Sequence, residues 1–162
     1  MADHVLEARV WLGRPRSDVF AFFADPANLG VLTPPSFALR LITPAPVMAA
    51  GAVLDYRLRW LGVPIRWRAF VREYDPPYRF LDVQLRGPYA RWEHRHRFLE
   101  DDGGTIVEDR LVYRLPLGIA GRAMHAVLVG RQLRAAWDYR TRRLAELLGP
   151  LRPIRGTPTR GA

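Results

Sequence analysis

Period-two alternation of apolar and charged residues dominates the first two thirds of the chain. Leu6, Ala8 and Val10 alternate with Glu7, Arg9 and Trp11, which predicts a half-buried strand over residues 4–12. Pro15, Ser17 and Asp18 suit a helix start, Val19, Phe20 and Phe23 give that helix an apolar face, and Asp25-Pro26 stops it. A second short helix is expected from Ala27 to Leu32, before Pro34-Pro35. Six more strands are then predicted, at about 37–41, 54–60, 65–72, 81–85, 92–98 and 107–113. Tyr56, Leu58 and Trp60 mark the buried face of the third strand, Trp67, Ala69 and Val71 that of the fourth, and Leu81, Val83 and Leu85 that of the fifth. Trp92, His94, His96 and Phe98 share one face of the sixth strand. The links between strands are too short for crossovers, so the strands form an antiparallel meander.

From residue 117 to 148 the period becomes helical: Val129, Leu133, Trp137, Leu144 and Leu148, with Ala136 and Leu147, fall in one stripe. Gly149-Pro150 ends that helix. A sheet with one apolar face needs one cover, and this helix is the only large one available. The pattern therefore predicts an α+β fold, a curved antiparallel seven-stranded sheet around a long C-terminal helix, with two short helices after the first strand. A twisted sheet cannot touch a straight helix everywhere, so a cavity is expected between them. The domain spans residues 4–149, and residues 150–162, with little to bury, are expected to be a disordered tail.

Composition narrows the function classes. The chain of 162 residues has no cysteine, which excludes disulfides, thiol catalysis and thiolate metal sites. It lacks a continuous apolar run of about 18 residues and an apolar leader, so a cytoplasmic location is expected. The net charge is +9 and every lysine-or-arginine position is arginine. Arg57, Arg59, Arg66, Arg68, Arg86, Arg95 and Arg110 fall on the solvent face of the strands, partly paired with Glu93 and Glu108. RNA-binding sheets carry aromatics among their basic residues, whereas most aromatics here fall on the opposite face; specific nucleic-acid binding is therefore not expected. A transient contact with a membrane surface remains compatible with the basic face, and the pattern leaves the oligomeric state open.

The candidate chemistry centres on His94, His96 and Asp109. Asp101-Asp102-Gly103-Gly104 is a hairpin signal. Counting back from it sets His96 opposite Asp109, His94 opposite Leu111, Trp92 opposite Tyr113 and, on the outer face, Arg97 opposite Glu108. The His96–Asp109 pair suits three roles: a structural pair in the core, a polar anchor for a ligand headgroup, or an acid–base or metal-binding centre. No metal and no cofactor are expected to be required, since the only other histidines are His4 and His125. Arg140 borders the apolar helical stripe and is placed to meet a sheet carboxylate or an acidic ligand. The expected ligand-binding walls are Tyr56, Leu58, Trp67, Leu81, Val83, Trp92, His94, His96, Asp109 and Tyr113 on the sheet, with Leu133 and Trp137 on the helix.

Several segments resemble the START-like, helix-grip superfamily (SRPBCC), in particular a bacterial ligand-binding branch that includes polyketide cyclase/dehydrase-like and coenzyme Q-binding-type proteins. They are VFAFFADPANLGVLTPPSF at 19–37, GPYARWEHRHRF at 87–98, GTIVEDRLVYRLPLG at 104–118 and WDYR at 137–140. Some relatives in that branch carry a cell-division-inhibitor label, through fusion or adjacency to a nucleotide-sugar-epimerase-like domain. The resemblance implies a hydrophobic small molecule or lipid held between sheet and helix. Three functions follow in order: a non-catalytic carrier or sensor; a small cyclase- or dehydratase-like enzyme using His96 and Asp109 with His94 nearby; and a surface-interaction module on the basic convex face.

Overall fold

Strand alternation carries most of the architecture. The computed structural model describes residues 3–116 and 128–152. The elements are β1 (His4–Leu12), α1 (Arg16–Ala24), 3-10 turns at Pro26–Leu29 and Pro35–Phe37, β2 (Arg40–Leu41), β3 (Val53–Trp60), β4 (Val63–Asp75), β5 (Arg79–Arg86), β6 (Arg91–Asp101), β7 (Gly104–Arg114), α2 (Gly130–Leu148) and β8 (Leu151–Arg152). They form one antiparallel sheet in the order β2-β3-β4-β5-β6-β7-β1-β8. The meander runs from β2 to β7, and β1 closes onto β7 with Leu6 opposite Leu111 and Val10 opposite Val107.

Three expectations need correction. Among the described residues the sheet has eight strands, not seven, because Leu151 and Arg152 pair with Leu12 and Trp11. Gly149, at φ +106°, turns the chain back, and Leu151 then packs on the core around Leu12 and Leu144. Residues 151–152 thus belong to the sheet, while the rest of the expected tail, 153–162, lies outside the described residues. Second, the strand expected at 37–41 shrinks to two residues, since Pro34-Pro35 starts a 3-10 turn that ends at Ala38 in the left-handed region (φ 43°). The part of the long helix expected at 118–127, with His125, lies outside the described residues; α2 is described from Gly130.

The third correction concerns β5. The β4–β5 ladder shifts register between Val71 and Glu73, so that Arg72 has no partner on β5. Such a bulge reverses the parity of everything beyond it relative to an unbroken count. Val71 lies opposite Asp82 and Tyr74 opposite Phe80. Phe80 and Asp82 therefore face the concave side with His96 and His94, their partners on β6. Leu81 and Val83 face the convex side. Leu81 is still buried there, flanked across the ladders by Glu73 and Arg95, whereas Leu85 is exposed.

The β6–β7 hairpin has the register expected from sequence: His96–Asp109, His94–Leu111, Trp92–Tyr113 and Arg97–Glu108. Its turn residues Asp102 and Gly103 both have positive φ, 44° and 73°, as a tight two-residue hairpin demands.

The core lies in three clusters on the concave side. One gathers Leu12, Val19, Phe20, Phe98 and Leu144 beneath α1 and the end of α2. A second joins Tyr89, Leu111, Tyr113, Val129 and Leu133. The third is Leu54, Tyr56, Ala69 and Val71 on β3 and β4. The convex face carries paired charges, including Arg68 on Asp55, Arg97 and Arg9 on Glu108, and Arg95 on Glu73.

Candidate functional site

A cavity of about 200 Å³ opens among the three clusters. α1 contributes Phe22 and Phe23, the 3-10 turns Leu29, Leu32 and Phe37, and β3 Leu54, Tyr56, Leu58 and Trp60. β4 adds Trp67 and Ala69, β5 Phe80 and Asp82, and β6 Trp92, His94 and His96. The roof is α2, through Leu133, Ala136, Trp137 and Arg140. These α2 residues recur every three to four positions, so one helical face reaches the cavity.

One end of the cavity is aromatic. Trp67 meets Trp92 edge-on at 4.9 Å between ring centroids, Tyr89 lies 4.8 Å from Trp92, and the Trp60 indole donates to the Tyr89 hydroxyl at 3.2 Å. Burial pushes the Tyr89 and Tyr56 phenols well above their ordinary range, so both stay neutral.

The other end is a buried polar network centred on Asp109. Its Oδ1 lies 2.6 Å from His96 Nδ1 and 3.4 Å from His94 Nε2, and its Oδ2 lies 3.4 Å from Arg140 Nε. None of these contacts has the alignment of a formed hydrogen bond, so they are close charge contacts. His96 Nε2 faces Asp82 Oδ2 at 3.6 Å. Phe80 stacks on His96 at 4.2 Å, and Arg140 lies 4.9 Å over the Phe23 ring.

Electrostatics assign the charges. Burial works to raise the Asp109 carboxyl, but the charges of Arg140 and His96 outweigh it and hold Asp109 well below the ordinary carboxylate value. Burial works to lower His96, but Asp109 overcomes it and raises His96 above its ordinary value. His94 is lowered, first by burial and then by the charge on His96. The network therefore sets a carboxylate at Asp109 between Arg140 and an imidazole at His96 that holds its proton more tightly than usual, while His94 is biased toward the neutral form. A neutral imidazole on a cavity wall can accept a proton, donate a hydrogen bond or ligate a metal. No serine or cysteine lines the cavity, so a nucleophile of either type is lacking there.

Of the residues singled out from sequence, Tyr56, Leu58, Trp67, Trp92, His94, His96, Leu133 and Trp137 line the cavity. Asp109 sits directly behind it, against both histidines. Tyr113 belongs to the adjoining cluster with Tyr89 and Leu133 and does not line the cavity. Leu81 and Val83 are replaced in the wall by Phe80 and Asp82, for the bulge reason given above. Sequence reasoning missed Phe22, Asp82 and Tyr89. The apolar run Phe20-Ala21-Phe22-Phe23 was a usable signal for α1, since a helix apolar on two sides is covered on two sides.

No protein-family model matches the sequence, and no curated protein matches it. Solved structures do match. A START superfamily protein from Mycobacterium smegmatis has a TM-score of 0.66 and 12% identity, covering 89% of this chain and 99% of that one. The di-domain ARO/CYC BexL from the BE-7585A biosynthetic pathway gives 0.60 and 19%, covering 87% of this chain and 50% of that one. A nucleoside-diphosphate sugar epimerase from Corynebacterium glutamicum gives 0.62 and 25%, covering 87% of this chain but 28% of that one. The chain has the START-like helix-grip (SRPBCC) fold.

Proposed function

We propose that this chain binds a compact, largely apolar small molecule in the cavity between the sheet and α2, as a carrier or sensor rather than as an enzyme. The observation that carries this reading is the division of the cavity wall. Aromatic and aliphatic side chains make up most of it, His94, His96, Asp82 and Arg140 cluster around Asp109, and Asp25, Asn28 and Thr33 near the first 3-10 turn add a few more polar groups. Sites for small molecules have this character: apolar walls for affinity and a few placed polar groups for orientation. The volume of about 200 Å³ favours a ligand of one or two rings over a long lipid chain; an apolar cavity of about 150 Å³ accepts benzene.

A second reading, a cyclase- or dehydratase-like enzyme, is favoured by the neutral His94 beside the charged His96–Asp109 pair. The similarity to a di-domain ARO/CYC protein points the same way. Native mass spectrometry of the purified full chain, with solvent extraction and identification of any bound molecule, separates these readings. A carrier returns the same compound after incubation, whereas an enzyme returns it cyclised or dehydrated. Failure of any apolar or aromatic compound to bind overturns both.

A further inference from the structure

We propose that Asp82, His94 and His96 form a binding site for one divalent first-row transition ion, zinc or ferrous iron, at the polar end of the cavity. The expectation from sequence that no metal is required rests on the absence of thiolates and on the placement of the four histidines. The bulge at Arg72 turns Asp82 inward and supplies the missing carboxylate. Two neutral imidazoles and one carboxylate are a donor set that these ions prefer, and binding releases to solvent any proton that His96 carries.

The geometry supports the set in three ways. One ligand atom from each residue lies within 4.8 Å of the others. Metal bonds of about 2.0–2.2 Å place neighbouring ligand atoms roughly 3–3.5 Å apart, so each of the three atoms needs to move inward by about 1 Å at most. The backbone under the site is rigid, since Asp82 pairs directly with His94 and the next inward pair is Phe80 with His96. Finally, His96 Nε2 and Asp82 Oδ2 stand 3.6 Å apart, too far for a hydrogen bond, and an ion between them would satisfy both.

Asp109 supplies the outer support. It contacts one nitrogen of each imidazole, His96 Nδ1 at 2.6 Å and His94 Nε2 at 3.4 Å, while Arg140 holds its second oxygen at 3.4 Å. A carboxylate that accepts the free ring N–H of a ligating histidine fixes its tautomer and strengthens binding, and Asp109 stands in that place, in close charge contact. Asp109 is in this sense a positioning residue. Three protein ligands leave coordination positions open toward the cavity, where water or an oxygen of a bound molecule would complete the shell. The proposal stands on these residues and does not depend on the ligand reading above.

The test uses the full chain without a histidine tag, stripped with a chelator, dialysed and titrated with zinc chloride by calorimetry. Cobalt chloride, followed by its visible absorption, gives a second readout. The expected result is one ion per chain. Asp82→Asn and His94→Gln each weaken binding at least tenfold, and Asp109→Asn weakens it about 10–100-fold. The Asp82 side chain is 21% exposed, so Asp82→Asn is the variant that best preserves the fold, and its unfolding midpoint is measured alongside. If His94→Gln fails to fold, Asp82→Asn decides alone. Absence of saturable binding overturns the proposal, and so does unchanged affinity in folded Asp82→Asn. Binding of an apolar fluorescent probe to the stripped protein is measured separately, so loss of the metal reading leaves the cavity reading distinguishable.

Discussion

Asp109→Asn tests the polar network most directly. The substitution keeps the shape and removes the charge that faces His96 on one side and Arg140 on the other. The carboxylate is 5% exposed, so solvent cannot take over its role. Removing one partner of a buried charge pair costs about 3–5 kcal/mol, because the other charge is left uncompensated. His96 moderates the cost: once Asp109 is gone, burial pushes its imidazole toward the neutral form against the remaining pull of Asp82, so the charge left facing the vacated place is mainly that of Arg140. The low end, about 3 kcal/mol, is therefore expected at pH 7. For a domain of this size that lowers the unfolding temperature by roughly 6–12 °C. The sign with pH follows from the lowered Asp109 value. Its stabilisation is present above the ordinary carboxyl value of 3.8 and is lost as pH falls through the lower folded value. The gap between wild type and variant, followed by thermal unfolding, should be full above that point and narrow in stronger acid. A cost below about 1 kcal/mol at pH 7, typical of a surface change, would refute the buried network.

Other outcomes follow from the same geometry. Leu58→Asp places an unpaired charge in the cavity wall and should abolish binding of an apolar fluorescent probe, whereas Arg59→Ala on the convex face should leave it unchanged; the reverse pattern moves the site to the convex face. NMR titration should find His94 protonating below 6.5 and His96 above it, so that stability falls on acidification as His94 is forced to charge and falls on alkalinisation as His96 loses its proton. Coincident midpoints would contradict the assignment. Gly104→Ala should destabilise by more than about 1 kcal/mol in urea unfolding, because an added Cβ would meet the Trp11 ring at 2.4 Å and the Leu12 carbonyl oxygen at 2.5 Å; a neutral result would show that β1 and β7 can separate there.

The sequence discloses alternation, and alternation holds wherever a ladder is unbroken. The β6–β7 register is legible because the turn at Asp102-Gly103 is recognisable and both strands run without a bulge, so His96 falls opposite Asp109 by counting alone. Tyr56, Leu58 and Trp67 follow for the same reason on β3 and β4, where Tyr56 pairs with Trp67. β5 defeats the count. Leu81, Val83 and Leu85 are the more apolar parity of that strand, yet they face outward, and the inward parity is Phe80, Asp82 and Gln84. Local hydrophobicity is outvoted by pairing on both sides, with β4 and β6 fixing the strand between them. Leu151 and Arg152 were illegible because two residues carry no period; they pair with β1 only once the helix end returns them to it.

The misread strand is also the one that changes the chemistry. With Leu81 and Val83 inward, the cavity would be apolar up to the His96–Asp109 pair, and that pair would read as structural. With Asp82 inward, a second carboxylate stands 3.6 Å from the far nitrogen of His96. The His96 imidazole is then flanked by carboxylates on both sides, Asp109 at Nδ1 and Asp82 at Nε2. Asp109 is buried and Asp82 half-buried, and keeping these two carboxylates beside His96 and Arg140 is tolerable because opposite charges face one another, with His94 biased toward the neutral form. A carrier for purely apolar cargo has no use for such a group, since an all-apolar lining of equal volume is commonly as stable or more so. The cost of keeping it argues that the polar end of the cavity meets something polar, whether the oxygen of a bound ligand or an ion.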